Sequence, residues 1–330
     1  MGKDFCMSAI NSLCHVIYAL FGKRLGEKMV MAANVILHDW RIHVPFETNI
    51  PLHKEFLDTS DEEIIAAFSE LDQESLDSAL KYVSRHRDFL FTCRNTEVAF
   101  YNYNKIYPKA DIQKSKELNA RFKEEQKNFK YELDSEFGEV VSLVYHHGLI
   151  LCPEKVIHYI RDHVFIDAGG CFGDSALIFL KYYNPGKVIT FEPSSRNIQC
   201  CRMVMEQNHV EKSQYELAAF GLGRTCSTLF YDETFGSGNS LKNSQGGSSR
   251  VEIITLDRYC QDHGISDVRL IKADIEGMGL DMVMGAEEVI RANRPVLCLS
   301  IYHNREELFG IYDLLKQWEL DYHFMIRKLS

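Results

Sequence analysis

The sequence predicts a doubly wound, Rossmann-like α/β fold in the C-terminal part of the chain, preceded by a helical N-terminal region. From Phe137 onward, short apolar runs rich in strand-forming residues alternate with helical segments of about ten to fifteen residues. This alternation is typical of parallel strands joined by crossover helices. One run leads directly into a glycine-rich turn followed by a second helical segment. In such folds the ligand binds beyond the carboxyl ends of the strands.

The N-terminal region is expected to be a helical domain over residues 1–130, with a second domain over residues 131–330. Apolar residues recur at helical spacing in four stretches: Ile10–Leu20, Lys28–Leu37, Glu62–Leu71 and Leu76–Tyr101. The segment Ser115–Lys130 is dense in Lys and Glu, which predicts a solvated helix or connector. No motif with evident chemistry occurs in this region.

The second domain contains seven candidate strands and four candidate helices. The strands are expected at Val164–Ala168, Lys187–Phe191, Gln214–Phe220, Val251–Leu256, Val268–Ala273, Pro295–Ile301 and His323–Lys328. The helices are expected at Ser175–Tyr183, Ser195–Asn208, Gly279–Ala292 and Glu306–Glu319. The stretch Phe235–Gly247 is rich in Gly, Ser and Asn, which predicts a loop.

Composition limits the class of protein. The net charge of −10 disfavours a general electrostatic grip on nucleic acid, so we expect no nucleic-acid partner. The ten cysteines form no C-x-x-C pairs, which favours reduced thiols in a cytoplasmic protein over a disulfide framework or zinc site. The apolar run Ala9–Phe21 is interrupted by polar residues and is too short for a membrane span.

The turn after the first predicted strand is the most informative segment. It reads Asp-Ala-Gly-Gly-Cys-Phe-Gly-Asp over residues 167–174, and glycines at Gly169 and Gly173 allow a ligand to approach the backbone closely. The turn nearly spells the dinucleotide pattern G-x-G-x-x-G, but Ala168 replaces the first glycine. The pattern alone leaves a dinucleotide and another nucleoside cofactor both open.

Acidic residues at the strand ends favour S-adenosylmethionine over a dinucleotide. Asp167 and Asp174 would repel a pyrophosphate, whereas carboxylates suit a ligand with a sulfonium and an ammonium group. Glu192 ends the next strand, where it could accept both ribose hydroxyls. Ala218 follows the third strand, where an adenine would lie. The alternative roles are a helix cap for Asp174 and a solvated acid for Glu192.

The run Leu-Ile-Lys-Ala-Asp-Ile-Glu-Gly at residues 270–277 adds a further motif, followed by Met-Gly-Ala at 284–286 and Arg-Pro-Val at 294–296. Together with the turn at 167–174 and the segment Phe-Glu-Pro-Ser-Ser-Arg-Asn at 191–197, it resembles the FkbM-type methyltransferases. The resemblance covers roughly Leu143 to the last residue. It implies a seven-stranded methyltransferase fold, S-adenosylmethionine as donor, and an acceptor oxygen on a sugar, glycan or polyketide-like product.

The resemblance also assigns site residues. Asp167, Gly169 and Gly173 match the first cofactor motif, and Glu192 matches the ribose acid. Asp274 and Glu276 match the acidic pair at the end of the fourth main strand. Such domains usually close with a final antiparallel strand, and we expect that strand to be absent here or supplied otherwise.

Three residues at predicted strand ends are candidates for the catalytic base. A hydroxyl acceptor must lose its proton, so a base is needed within hydrogen-bond reach. Asp274, Glu276 and His303 lie on the expected rim, and His303 alone has an ordinary pKa near neutrality. Asp274 and Glu276 are two residues apart, so they could share a cation or an acceptor hydroxyl, while Lys272 could form an ion pair with one of them. No cluster supports a metal ion.

The leading interpretation is therefore an O-methyltransferase that acts on a small molecule or glycan. A non-catalytic binding or assembly module and, less favoured, an NAD-dependent oxidoreductase are the alternatives. We expect no membrane partner, and a homo-oligomer is left open. Motifs do not identify the acceptor, because specificity depends on loop shape.

Overall fold

The computed structural model describes residues 55–93, 96–99, 109–132, 138–231 and 249–329. The chain divides into two compact units, Met1–Lys114 and Ser115–Ser330. This division lies before the expected boundary at residue 130, because apolar side chains C-terminal to Lys114 belong to the core of the second unit: Leu118, Phe122 and Phe129. The predicted helices Ile10–Leu20 and Lys28–Leu37 and the predicted loop Phe235–Gly247 lie outside the described residues.

The described part of the first unit contains two helices and a β-hairpin. Helix α1 (Asp61–Phe68) and helix α2 (Gln73–Phe89) confirm the helical periodicity of this region. Ser60 caps α1 by accepting a hydrogen bond from the Glu63 amide at 3.1 Å. The expected continuation of the second helix to Tyr101 is wrong, because antiparallel strands β1 (Leu90–Cys93) and β2 (Thr96–Ala99) follow α2. Aromatic and β-branched residues in these strands favour extended backbone.

The second unit is built on a parallel sheet of five strands. They are β3 (Val164–Ala168), β4 (Lys187–Phe191), β5 (Tyr215–Ala218), β9 (Val268–Ala273) and β10 (Val296–Leu299). Their order across the sheet is β10-β9-β3-β4-β5, and every neighbouring pair is parallel. The order reverses between β3 and β9, which is the switch point where doubly wound folds bind their ligands.

Helices connect these strands in the predicted alternation. The described second unit contains α3 (Lys109–Gln126, which begins before the boundary), α4 (Val140–Leu143), α5 (Glu154–Ile160), α6 (Asp174–Tyr182), α7 (Ser195–Gln207), α8 (Leu256–His263), α9 (Gly279–Met284), α10 (Glu287–Asn293) and α11 (Ile311–Gln317). A 3₁₀ segment covers His146–Leu151, and a π-helical turn, Glu306–Gly310, precedes α11.

Both faces of the sheet are buried, as the near-continuous apolar strands predict. One core cluster contains Ile166, Ile189 and Ile271, and the other contains Phe165, Val188 and Leu270. Consecutive strand residues thus point to opposite faces. The segment Ser115–Lys130 lies largely in α3, as the predicted solvated helix, and it buries one face, because Leu118, Phe122 and Phe129 join the second cluster.

The strands expected at Gln214–Phe220 and Pro295–Ile301 are shorter at both ends, and three other elements differ more in extent or pairing. The strand expected at Val251–Leu256 is β8 (Ser249–Ile254), which pairs with β6 (Gly221–Leu222) and β7 (Ser227–Tyr231) in a separate small sheet. The helix expected at Gly279–Ala292 is interrupted, because Gly285 packs so closely that a Cβ would lie 2.1 Å from the Gly223 carbonyl oxygen. The helix expected at Glu306–Glu319 starts as the π-helical turn and ends at Gln317.

The strand predicted at His323–Lys328 is wrong. The backbone there is irregular, following left-handed φ values of 52° at Glu319 and 54° at Asp321. Phe324 nevertheless packs against the core, and the Tyr322 hydroxyl donates to the Pro295 carbonyl at 2.9 Å. The segment thus contributes an apolar side chain to the core without pairing as a strand.

Two sequence expectations concern the described chain as a whole. Within the described ranges, no helix combines the length and apolarity that crossing a membrane requires. The described cysteines carry free thiols: Cys152, Cys171, Cys200, Cys201, Cys226, Cys260 and Cys298.

Candidate active site

The glycine-rich turn joins β3 to α6 at the switch point of the sheet. Gly169 has a φ of 81°, and a Cβ at this position would lie 2.0 Å from the carbonyl oxygen of Asp274. Gly173 has a φ of 85° and caps α6, where a Cβ would lie 2.9 Å from the Met205 methyl carbon. Glycine is thus required at Gly169 by the backbone conformation and by the Asp274 carbonyl oxygen, and at Gly173 by the left-handed backbone conformation.

A buried ion pair lies beneath this turn. Lys272 Nζ is 3.1 Å from Asp167 Oδ1, and the two side chains are 3% and 0% exposed. Lys272 Nζ also donates to the carbonyl oxygen of Gly169 at 2.7 Å, and the Thr190 hydroxyl donates to Asp167 Oδ2 at 3.0 Å. Lys272 therefore pairs with Asp167 on the neighbouring strand. The sequence had suggested a pair with Asp274 or Glu276 instead.

Glu192 connects the end of β4 to the turn after β3. Its Oε2 accepts from the Cys171 amide at 2.9 Å, and its Oε1 accepts from the Ser194 amide at 2.9 Å and the Asn197 side chain at 3.3 Å. Burial raises the pKa of Glu192 despite these donors. The alternative of a solvated acid is wrong, because only 5% of the residue is exposed.

Asp174 and Ala218 complete the cofactor side that the sequence predicted. The helix-cap role of Asp174 is wrong, since Gly173 is the capping residue and Asp174 lies in the first turn. Burial raises the pKa of Asp174, and a hydrogen bond with Ser142 opposes this. Ala218 ends β5 beside Glu192, whose amide donates to the Ala218 carbonyl at 3.1 Å.

The predicted acceptor side is a cluster of three carboxylates around one histidine. His303 Nε2 lies 3.2 Å from Asp274 Oδ1 and 3.7 Å from Glu276 Oε2, and His303 Nδ1 lies 2.8 Å from Glu307 Oε2. The Tyr302 hydroxyl donates to Asp274 Oδ1 at 3.1 Å. Asp274 and Glu276 are thus brought to the same side, as predicted, although β9 ends at Ala273 and Glu276 adopts a left-handed φ of 51°.

The cluster changes the proton affinities of its members. Burial of the His303 ring opposes its charged form, but Asp274 and Glu307 outweigh burial and raise the pKa of His303 to about 10. His303 and Lys272 in turn overcome burial and hold the pKa of Asp274 well below its usual range. Burial raises the pKa of Glu276. His303 is therefore protonated at neutral pH and has no lone pair with which to act as the base.

Residues ahead of β3 also reach this region. Burial raises the pKa of Glu139, and Asp174 and Asp274 add to the effect. Burial lowers the pKa of His147 to about 3, so its ring is neutral, and its Nε2 lies 2.8 Å from the Ser175 hydroxyl. His147 has a left-handed φ of 53°. The short segment before β3 thus adds an acid and a neutral imidazole to the site.

The comparison with protein families decides the class of the domain. Residues 167–326 match the model of the methyltransferase FkbM domain, and the match spans the strands and turns that carry all of these acids except Glu139. This part, just under half of the chain, resembles the FkbM methyltransferases, and we call it the FkbM domain. The FkbM domain is accordingly a methyltransferase domain, as the motifs at 167–174 and 270–277 predicted.

Two named relatives place the FkbM domain among known proteins. The 2-O-methyltransferase NoeI of Sinorhizobium fredii is 24% identical over 202 residues, which cover 54% of this chain and 79% of NoeI. The crystal structure of methyltransferase FkbM from Methylobacillus flagellatus is 18% identical with a TM-score of 0.40. That alignment covers 69% of this chain and 60% of the solved chain.

The FkbM domain groups the predicted site residues around the switch point. One group surrounds the turn after β3: Asp167, Gly169, Gly173, Asp174, Glu192 and Ala218. The other follows β9 and β10: Asp274, Glu276 and His303. Among the described residues, no group of three or more His, Cys, Asp or Glu side chains has an arrangement suited to a metal ion.

Several polar residues of the site were not predicted from the sequence. Glu307 lies at the start of the predicted helix Glu306–Glu319, four residues after His303, and this spacing could have indicated the contact had the helix been predicted one turn longer. Glu139 and Ser142 form a capping box with the spacing of that motif. No local pattern indicates His147 or Thr190, whose positions depend on the three-dimensional packing.

Proposed function

We propose that the FkbM domain transfers a methyl group from S-adenosylmethionine to a hydroxyl group of a sugar, glycan or other hydroxylated metabolite. The observation that carries the proposal is the convergence of Asp167, Glu192 and Asp274 at the carboxyl ends of three adjacent parallel strands, around one glycine-rich turn. Ligands of doubly wound folds bind at this position. The name of the relative NoeI supports an oxygen acceptor.

The residues present fit such a cofactor. Asp167 Oδ1 is buried and has no hydrogen bond of good geometry among the described residues, although it is paired by charge with Lys272. Glu192 would hold the ribose, and the turn at Gly169 would approach the methionine portion. Carboxylates suit the sulfonium and ammonium groups of this donor and oppose a pyrophosphate. When bound, S-adenosylmethionine supplies a methyl carbon that its sulfonium group activates.

The protein must orient the acceptor hydroxyl and remove its proton. We assign proton removal to Glu276, because burial raises its pKa and makes it a stronger base than Asp274. As the acceptor oxygen forms its bond to the methyl carbon, the bond from that carbon to the donor sulfur would break and leave S-adenosylhomocysteine, while the acceptor O–H bond would break and its proton pass to the Glu276 carboxylate. Asp274 is held by His303 and Tyr302 and orients the acceptor.

Calorimetric titration with S-adenosylmethionine and S-adenosylhomocysteine tests the cofactor assignment. We expect both to bind the intact chain and to bind Glu192→Gln at least tenfold more weakly, since one good hydrogen bond to a charged group contributes about 1.5–3 kcal/mol. Glu206→Gln, an exposed change on the helix that follows Glu192, is the control and should bind as the wild type does. Binding of NAD instead, or equal binding by Glu192→Gln, would contradict the assignment.

A further inference from the structure

We propose that Glu307 is a positioning residue for methyl transfer, which fixes the ring of His303 with Nε2 directed at Asp274 and Glu276. The consequence for catalysis rests on the proposed function. The orientation and charge of the ring are properties of the protein alone and are measurable without cofactor or acceptor.

Glu307 is a buried acid in a region where a carboxylate needs specific partners. Only 1% of its side chain is exposed. Its Oε1 accepts from the Gly279 amide at 2.7 Å, and its Oε2 lies 2.8 Å from His303 Nδ1. A Cβ at Gly279 would lie 2.7 Å from Glu307 Oε1, so the absence of a side chain there makes room for the acid. Both oxygens are thus committed to defined donors.

The backbone around Glu307 is also tied to the acceptor side. The Glu307 amide donates to Asn304 Oδ1 at 2.8 Å, and the Asn304 side chain donates to the Gly277 carbonyl at 3.3 Å. Gly277 directly follows Glu276. The π-helical turn that carries Glu307 is therefore joined to the turn that carries Glu276.

This arrangement determines which His303 nitrogen faces Glu307. A carboxylate accepts but does not donate, so a hydrogen bond to Glu307 Oε2 requires a proton on His303 Nδ1. Nε2 is then the nitrogen that faces Asp274 and Glu276. A carboxylate that accepts from one ring nitrogen fixes the orientation of a histidine ring, as it does for the histidines of metal sites.

The groups that face His303 come from several elements. Asp274 and Glu276 lie on the turn after β9, and the Tyr302 ring centroid is 4.1 Å from that of His303. Glu139 raises the pKa of Glu276, whereas Lys272 lowers that of Asp274. Negative charge predominates around the ring, so His303 is held as a cation whose charge offsets the two acids at the acceptor side.

The charge on His303 has a direct effect on the proposed base. His303 lowers the pKa of Glu276, and this effect is larger than the opposite effect of Glu307. Loss of the histidine charge should therefore raise the pKa of Glu276. The acid limb of the rate profile would move to higher pH.

Nitrogen-15 NMR of the histidine side chains in the full chain tests this inference. His303→Asn identifies the His303 signal among the thirteen histidines. In the wild type we expect an imidazolium pattern at pH 7. In Glu307→Gln, which keeps an oxygen for the Gly279 amide, the titration midpoint of His303 should fall by about 1–3 pH units. Glu306→Gln, an exposed neighbour on the same turn, is the matched control.

Each outcome decides the proposal. A His303 ring whose Nδ1 carries no proton at pH 7 in the wild type would overturn it even if Glu307→Gln did not fold, and so would an unchanged midpoint in a folded Glu307→Gln. A lower midpoint together with normal S-adenosylmethionine binding would support it. If the midpoint falls as expected but the wild type binds no S-adenosylmethionine, the positioning role of Glu307 stands and the proposed function fails.

Discussion

Asp167 on β3 and Lys272 on β9 are register partners, and their oppositely charged side chains meet 3.1 Å apart in the interior of the sheet. Lys272 also reaches the Gly169 carbonyl oxygen at 2.7 Å. The pair therefore links the two strands at the switch point to the turn that follows β3. This contact makes the shape of the candidate cofactor site depend on a buried charge.

Lys272→Met should destabilise the second unit strongly. It would leave the Asp167 carboxylate buried without its cation, and breaking a buried pair in this way costs about 3–5 kcal/mol. Lys187→Met is the control, because the Lys187–Glu216 pair lies on neighbouring strands with side chains 35% and 32% exposed. We expect the control to lose no more than about 1 kcal/mol. Urea unfolding monitored by circular dichroism measures both, and equal losses would show that burial of the pair is unimportant.

Gly169→Ala should destabilise the chain more than Gly264→Ala does. Both glycines have positive φ, 81° and 64°, so both variants incur backbone strain of about 1–3 kcal/mol. Only Gly169 would also place a Cβ 2.0 Å from the Asp274 carbonyl oxygen, whereas nothing lies within 4 Å of a Cβ at Gly264. The difference between their free energies of unfolding isolates the close approach of the turn to the end of β9. No difference would mean that the turn relaxes freely.

Short buried strands were predictable because their signal is local. The bounds of β3, β4 and β9 agree with the apolar runs in the sequence, and each run is followed by an acid or a glycine. His323–Lys328 also contains an apolar run, Phe324–Ile326, but forms no strand, because whether such a run pairs depends on the edge of the sheet that it meets. Composition does not encode that edge.

Site residues were predictable where they stand at the end of a strand that the sequence itself indicates. Asp167 and Asp274 end strands, so their place on the rim follows from the fold. The charge on His303 could not be predicted in this way, because it results from Asp274, which is distant in sequence, and from Glu307. A histidine considered alone suggests a base near neutral pH, and only its three-dimensional neighbours reveal a cation.

The stabilising effect of His303 should diminish at alkaline pH. A group whose pKa is raised on folding, here from 6.5 to about 10, stabilises the folded state below its unfolded pKa and loses that effect as the pH rises through the folded value. The free energies of unfolding of the wild type and His303→Asn should therefore converge between about pH 7 and pH 10, at up to about 1.4 kcal/mol for each pH unit. Urea titrations at pH 6, 8 and 10 measure this, and a constant difference would contradict the assigned charge.

Glu276→Gln should abolish most methyl transfer and leave cofactor binding intact. An amide cannot accept the proton of the acceptor hydroxyl, and loss of a general base lowers the rate by about 10²- to 10⁴-fold. The assay follows transfer of a labelled methyl group from S-adenosylmethionine to a panel of hydroxylated sugars and glycans, with Glu288→Gln as an exposed control.

The pH profile of this transfer adds a second test of the base. Because burial raises the pKa of Glu276, the wild-type rate should begin to fall at a pH above the ordinary glutamate value of 4.5 as the solution is acidified. Glu276→Gln should lack this limb, since the group that titrates has been removed. If Glu276→Gln methylates the wild-type acceptor at the wild-type rate, or retains the limb, Glu276 is not the base. Asp274 would then be the next residue to test.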